Sequence, residues 1–137
     1  MTKKDIIKAL DNLGFTVEEL NDNFIHFEYE EMNYLYTYDD RDEDFLHLSL
    51  PSIFEVTEDN VDMVMPVVNR TNNIVKYAKI IYTQDAVWAT FEYPLFEWVN
   101  LEELLEFAIR ALQSAAATFC LVLCGEFDDK EGKEETA

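Results

Sequence analysis

Asp40-Arg41-Asp42-Glu43-Asp44 places carboxylates at alternate positions, as the start of a calcium-binding loop does. With Asp40 as first ligand, the sixth position is Phe45, where the sharp turn needs glycine, and the twelfth is Pro51, where a bidentate glutamate is needed. A solvated hairpin tip is the reading that survives. His26 and His47 fall on strands that a simple meander would separate by a third, and zinc wants three or four ligands. Cys120 and Cys124 are four residues apart on an expected helix, which is poor geometry for a bridge. They read as two buried free thiols in a reducing compartment. Three glycines, Gly14, Gly125 and Gly132, cannot build a phosphate loop, and no serine sits in a Gly-x-Ser-x-Gly elbow. Carboxylate pairs abound in so acidic a chain, so their presence alone does not indicate acid–base chemistry. The expectation is a protein without catalytic residues, metal or cofactor.

The charge balance narrows the partners. Against 29 acidic residues stand 10 Lys and Arg, a formal net of −19. A phosphate polymer would be repelled, because nucleic-acid affinity comes largely from cationic side chains displacing counterions. Anionic membrane surfaces are disfavoured for the same reason. No apolar run approaches the roughly 18 residues of a membrane span; the longest, 108–124, is interrupted by Arg110, Gln113, Ser114 and Thr118. Met1-Thr2-Lys3-Lys4-Asp5 leads straight into an amphipathic helix without a signal-like apolar region, so a cytoplasmic protein is expected. With 137 residues, 49% apolar and 14% aromatic, the chain can bury a core without disulfides. One domain is expected over 1–125, and 126–137 reads as a disordered acidic tail.

The elements follow from periodicity. Thr2 and Asp5 start a helix over 2–13 with Ile6, Ile7, Leu10 and Leu13 on one stripe. From Thr16 the period becomes two, giving strands at 17–20, 24–30, 32–38 and 45–50. Ile25, Phe27 and Tyr29 share one face of the second strand. Met32, Tyr34, Tyr36 and Tyr38 alternate with Asn33, Leu35 and Thr37 on the third, and the tyrosine side is expected to face outward or to meet another subunit. Pro51 closes the fourth strand or allows only an edge continuation through Ile53 and Phe54. Thr57-Glu58-Asp59 looks like a helix start, yet Pro66 then falls inside, so a kink or a later start is expected. Asn69, Asn72 and Asn73 suit the helix end. A hairpin over 77–82 and 86–93 turns at Thr83-Gln84-Asp85, and Asn100 with Glu103 caps a last helix that Gly125 stops. The fold class is α+β, an antiparallel sheet with flanking helices in the order α-β-β-β-β-α-β-β-α.

That order, with Asn69 and Asn73 near a helix end, the hairpin 77–93 and the Leu101-Glu102-Glu103-Leu104 helix start, resembles the YbjN-like family. The resemblance is strongest over 67–119; the first half matches in element order. It implies the fold of type III secretion chaperones and a cytoplasmic, dimeric, partner-binding domain of chaperone-like or sensory-regulator type. No catalytic residues attach to the family pattern.

Tyrosine and tryptophan bring large contact area with a polar handle, which suits binding surfaces. The leading functional expectation is therefore a protein- or peptide-binding face of Tyr34, Tyr36 and Tyr38, rimmed by Glu28 and Glu30, for a segment of basic character. The alternative is a small-molecule sensor with an apolar pocket near Trp88, Phe91 and Phe119, between the last helix and the sheet.

Overall fold

A computed structural model describes residues 2–83 and 85–125; Gln84 of the second hairpin turn and the expected tail at 126–137 lie outside them. The element order is α1 (Lys3–Asn12), β1 (Val17–Glu19), β2 (Phe24–Tyr29), β3 (Met32–Thr37), β4 (Phe45–Glu55), α2 (Val61–Ile74), β5 (Ala78–Thr83), β6 (Ala86–Pro94) and α3 (Leu101–Leu123). This is the expected α+β order. The strands form one antiparallel sheet, β1-β2-β3-β4-β6-β5.

Local chemistry explains most element ends. Thr2 and Asp5 form the reciprocal capping box that opens α1. The Asn100 side chain accepts from the Glu103 N–H at the start of α3. Asn12 donates to the Glu102 carboxylate at 3.0 Å, tying the end of α1 to the first turn of α3. Helix α2 begins at Val61, later than Thr57, which spends its backbone in a preceding turn. Pro66 nevertheless lies inside that helix, where it removes one intrahelical hydrogen bond. Strand β4 runs on past Pro51, but β3 pairs only at Ser49 and Leu48, so the proline stands where β4 is flanked by β6 alone. The register with β6 shifts between Leu50 and Phe54, and a bulge of this kind is where a strand tolerates proline.

One cluster of buried side chains joins all three helices to one face of the sheet. Ile25, Phe27, Tyr34, Tyr36, Leu46, Leu48, Leu50, Val87, Ala89 and Phe91 meet Ile6, Leu10, Val64, Leu105, Leu112 and Phe119 there. Phe27 stacks between Phe15 and Tyr34, with ring centroids 5.0 and 5.2 Å apart, each contact worth about 0.5–1.5 kcal/mol beyond its buried area. Helix α3 is long and apolar enough to cross a membrane by length and composition, but Leu104, Leu105, Ala108, Ile109, Leu112, Ala115, Ala116 and Phe119 are its contribution to this core. Cys120 and Cys124, expected to be buried, are exposed, because at the end of α3 they fall outside that inward stripe.

Two devices fix the sheet. Glu30 and Glu31 make a two-residue turn with φ of +50° and +65°, so Tyr29 pairs with Met32 and the whole β2–β3 register follows. At the other edge, Asn72 of α2 uses both ends of its amide on Ile80 of β5: Oδ1 accepts from the Ile80 N–H at 2.7 Å and Nδ2 donates to its carbonyl at 2.8 Å. A side chain thus occupies backbone groups of the edge strand that would otherwise pair with another chain. Asn73 donates to the Asn69 carbonyl one turn back, so these asparagines serve helix-end and edge chemistry.

Asn72→Ala is expected to lower stability by about 1–3 kcal/mol through the stranded Ile80 amide group, and to raise aggregation on partial unfolding; chemical denaturation and light scattering measure both. Glu31→Gly is expected to stabilise by about 0.5–1 kcal/mol, since glycine takes a positive φ without strain, seen as a higher denaturation midpoint.

Candidate functional site

The expected tyrosine surface is corrected by the packing. Tyr34 is fully buried and Tyr36 is 3% exposed, both beneath the helices. The reason is register: Phe27 pairs with Tyr34 and Ile25 with Tyr36, so the tyrosines share the face of two core residues. Tyr38 is half-buried against the same core and donates to Glu43 at 2.7 Å. Glu30 sits in the β2–β3 turn and accepts from Gln113 of α3 at 3.1 Å. Glu28 points to the opposite face and is exposed. The five residues do not form one surface. Burial pushes both core phenols up, Tyr36 to about 12 with further help from Tyr38 and Glu43.

The expected pocket is corrected as well. Phe91 and Phe119 have no exposure and lie in the filled core, where Phe91 meets Phe107 and Phe119 meets Phe54. Trp88 lies on the other side of the sheet, because it is one residue out of phase with Val87 and Ala89 on β6. The three therefore line no common cavity.

Trp88 leads instead to the face that the helices leave uncovered. A row crosses all six strands there: Glu18, His26, Leu35, Ser49, Thr90 and Lys79 pair in succession. To one side Ile81 pairs with Trp88; to the other, Phe24 pairs with Thr37, His47 with Glu92 and Phe45 with Pro94. Phe24, Leu35, Phe45, Ile81 and Trp88 belong to no part of the core cluster, and Phe45 is 42% exposed. Glu18, Glu28, Glu55 and Glu92 surround them, and the Lys79 amine lies 3.6 Å from Glu92. The histidines are kept apart by β3, as expected of a meander. His26 bonds Asn33 at 2.8 Å and lies 3.6 Å from Glu18.

His47, Ser49 and Thr90 form a polar cluster at the centre. The His47 Nε2 lies 2.9 Å from the Thr90 hydroxyl and 3.4 Å from that of Ser49, and the two hydroxyls are 3.3 Å apart. A nucleophile beside a histidine is the first element of covalent catalysis, but both hydroxyls are 2% exposed and the imidazole faces Thr90 rather than an open reaction centre. The geometry instead satisfies three polar groups beneath larger neighbours. Among the described residues, no group of three or more His, Cys, Asp or Glu is placed to hold a metal ion.

Solved structures share this fold. Crystal structures of YbjN from E. coli, described as a candidate transcription regulator, and of an uncharacterised protein from Methanothermobacter thermautotrophicus superimpose on it. The first has a TM-score of 0.66 at 15% identity over 85% of this chain and 87% of that one. The second has a TM-score of 0.67 at 13% identity over 93% and 100%. The fold is YbjN-like. This supports the resemblance read over residues 67–119 at the level of architecture. No family model and no curated protein matches the sequence.

The uncovered face was missed in the sequence, although Leu35 between Tyr34 and Tyr36, and His47 and Ser49 between Leu46, Leu48 and Leu50, carried its alternation. The buried phenol gives an alkaline prediction. The native state holds the Tyr36 proton more tightly than the unfolded chain, whose tyrosines ionise near 10, so its contribution is whole below that pH. As pH climbs through 12, on the order of 2 kcal/mol should be lost. Tyr36→Phe keeps the ring and should flatten that loss in urea titrations compared at about pH 9 and pH 11.

Proposed function

We propose that this chain is a non-catalytic, partner-binding domain whose uncovered sheet face receives a polypeptide segment of basic character. The observation that carries this reading is the asymmetry of the sheet: Phe24, Leu35, Phe45, Ile81 and Trp88 stand on the side without helices. An apolar group of this kind inside a charged rim is characteristic of interaction surfaces. Four carboxylates against one lysine among the described residues of that face, on a chain of net −19, favour a cationic occupant and would speed its approach. Affinity would come mostly from burying Leu35 and Trp88, at about 25 cal/mol per Å² of apolar area before association costs. The description of YbjN as a candidate regulator agrees with a binding role, and we place this chain in the same regulatory rather than catalytic class. The exposed, unpaired Cys120 and Cys124 fit a reducing, cytoplasmic setting.

Self-association through this face would set the carboxylates of one copy against those of the other. A homodimer formed there should therefore strengthen with salt, whereas a basic partner should be released by it. Sedimentation across a salt series separates the two.

The test is affinity capture with the wild-type chain and with Leu35→Glu as bait. Leu35 lies outside the core cluster but is half-buried, so the denaturation midpoint of the variant is measured alongside; the folded variant should lose the salt-sensitive partners that the wild type retains. Capture of the same partners at the same yield would remove this face from the account.

A further inference from the structure

On the helix side, remote from the uncovered sheet face, a solvent-open groove of about 550 Å³ runs along the first turns of α3. Its walls are of two kinds. Tyr77 and Phe107 meet edge to face, with centroids 4.9 Å apart at 84°, and Tyr93 extends this aromatic side. Glu103 and Glu106 bring carboxylates, and Arg110 is the one basic lining residue among the described residues. Glu103, Phe107 and Arg110 recur at helical spacing, so one stripe of α3 presents acid, ring and base in succession.

Tyr77 is the unusual member. It lies just before β5 with φ of +69°, a backbone region that a bulky residue seldom adopts, and it is 67% exposed. Its ring packs on Phe107 yet most of the residue stays in solvent, so the strained position gains little for the fold, and such strain gathers at ligand clamps. Arg110 lies 4.0 Å from Glu106, both exposed, which makes a loose pair that solvent screens.

We propose that this groove binds a cationic group, the guanidinium or ammonium of an arginine or lysine side chain. Ring faces of Tyr77 and Phe107 attract a cation through their quadrupoles, and the two carboxylates add charge-assisted acceptors. Arg110 is then the resident competitor, holding Glu106 until an incoming cation replaces it. An anion would meet two carboxylates and one guanidinium on a strongly acidic protein, so the charge selects the opposite sign.

The experiment is an NMR titration of the full chain at low salt with N-acetyl-arginine amide, using N-acetyl-citrulline amide as the uncharged isostere. The arginine probe should shift Tyr77, Phe107 and Arg110 resonances saturably and bind roughly fivefold or more tighter than citrulline. Tyr77→Ala and Glu103→Gln should each weaken it roughly threefold, while Arg110→Gln, by removing the competitor, should tighten it about twofold. All three side chains are exposed, so the variants should keep the wild-type fold. Leu35→Glu should leave this affinity unchanged, which keeps the site separable from the sheet face. Equal binding of citrulline, or unsaturable shifts spread over the acidic surface, would overturn the proposal.

Discussion

Side chains of a strand alternate between two faces, and among the described residues three helices cover one face of a six-stranded sheet while none covers the other. Every later property depends on which set of side chains the helices take. The Glu30–Glu31 turn decides this for the first hairpin, since a two-residue connection forces Phe27 opposite Tyr34 and Ile25 opposite Tyr36. A slip of one residue would have put Leu35 inside and the tyrosines in solvent. With the observed register, large rings fill the space under α3, and leucine, histidine and tryptophan are left on the side that the helices do not cover.

An uncovered face and two open sheet edges are a hazard for an isolated domain, and each is handled differently. The β1 edge is three residues long and carries Glu18 and Glu19. The β5 edge is occupied at Ile80 by the Asn72 amide. The face itself is ringed by carboxylates, and its central hydroxyls are bonded to His47 and to one another. These features suppress indiscriminate pairing while leaving Leu35, Phe45 and Trp88 outside the core, as the proposed selective surface requires.

The architecture was legible in the sequence because it rests on period and punctuation. Thr2 with Asp5, Asn100 with Glu103, and the switch from helical to twofold spacing after Gly14 located most elements. The inward face of β3 was not read correctly, since the tyrosines carry hydroxyls on one side while Leu35 stands among polar Asn33 and Thr37 on the other, so neither side is cleanly apolar. The information lay in the turn rather than in the strand: counting two residues between Tyr29 and Met32 places the tyrosines with Phe27. The exposure of the cysteines was hidden for a different reason, because helical spacing shows that two residues share a face without saying where the sheet beneath ends. The groove at Tyr77 had no sequence signal at all, as its parts come from the approach to β5, the end of β6 and α3.

The most direct test of the account is fluorine NMR of the chain labelled with fluorotryptophan, recorded free and with a partner recovered by capture. Trp88 and Trp98 give one resonance each, on the uncovered face and on the loop before α3 respectively. The account predicts that the Trp88 signal shifts and loses solvent accessibility as the partner saturates the protein. A bound complex in which Trp88 keeps its free position and accessibility would contradict it.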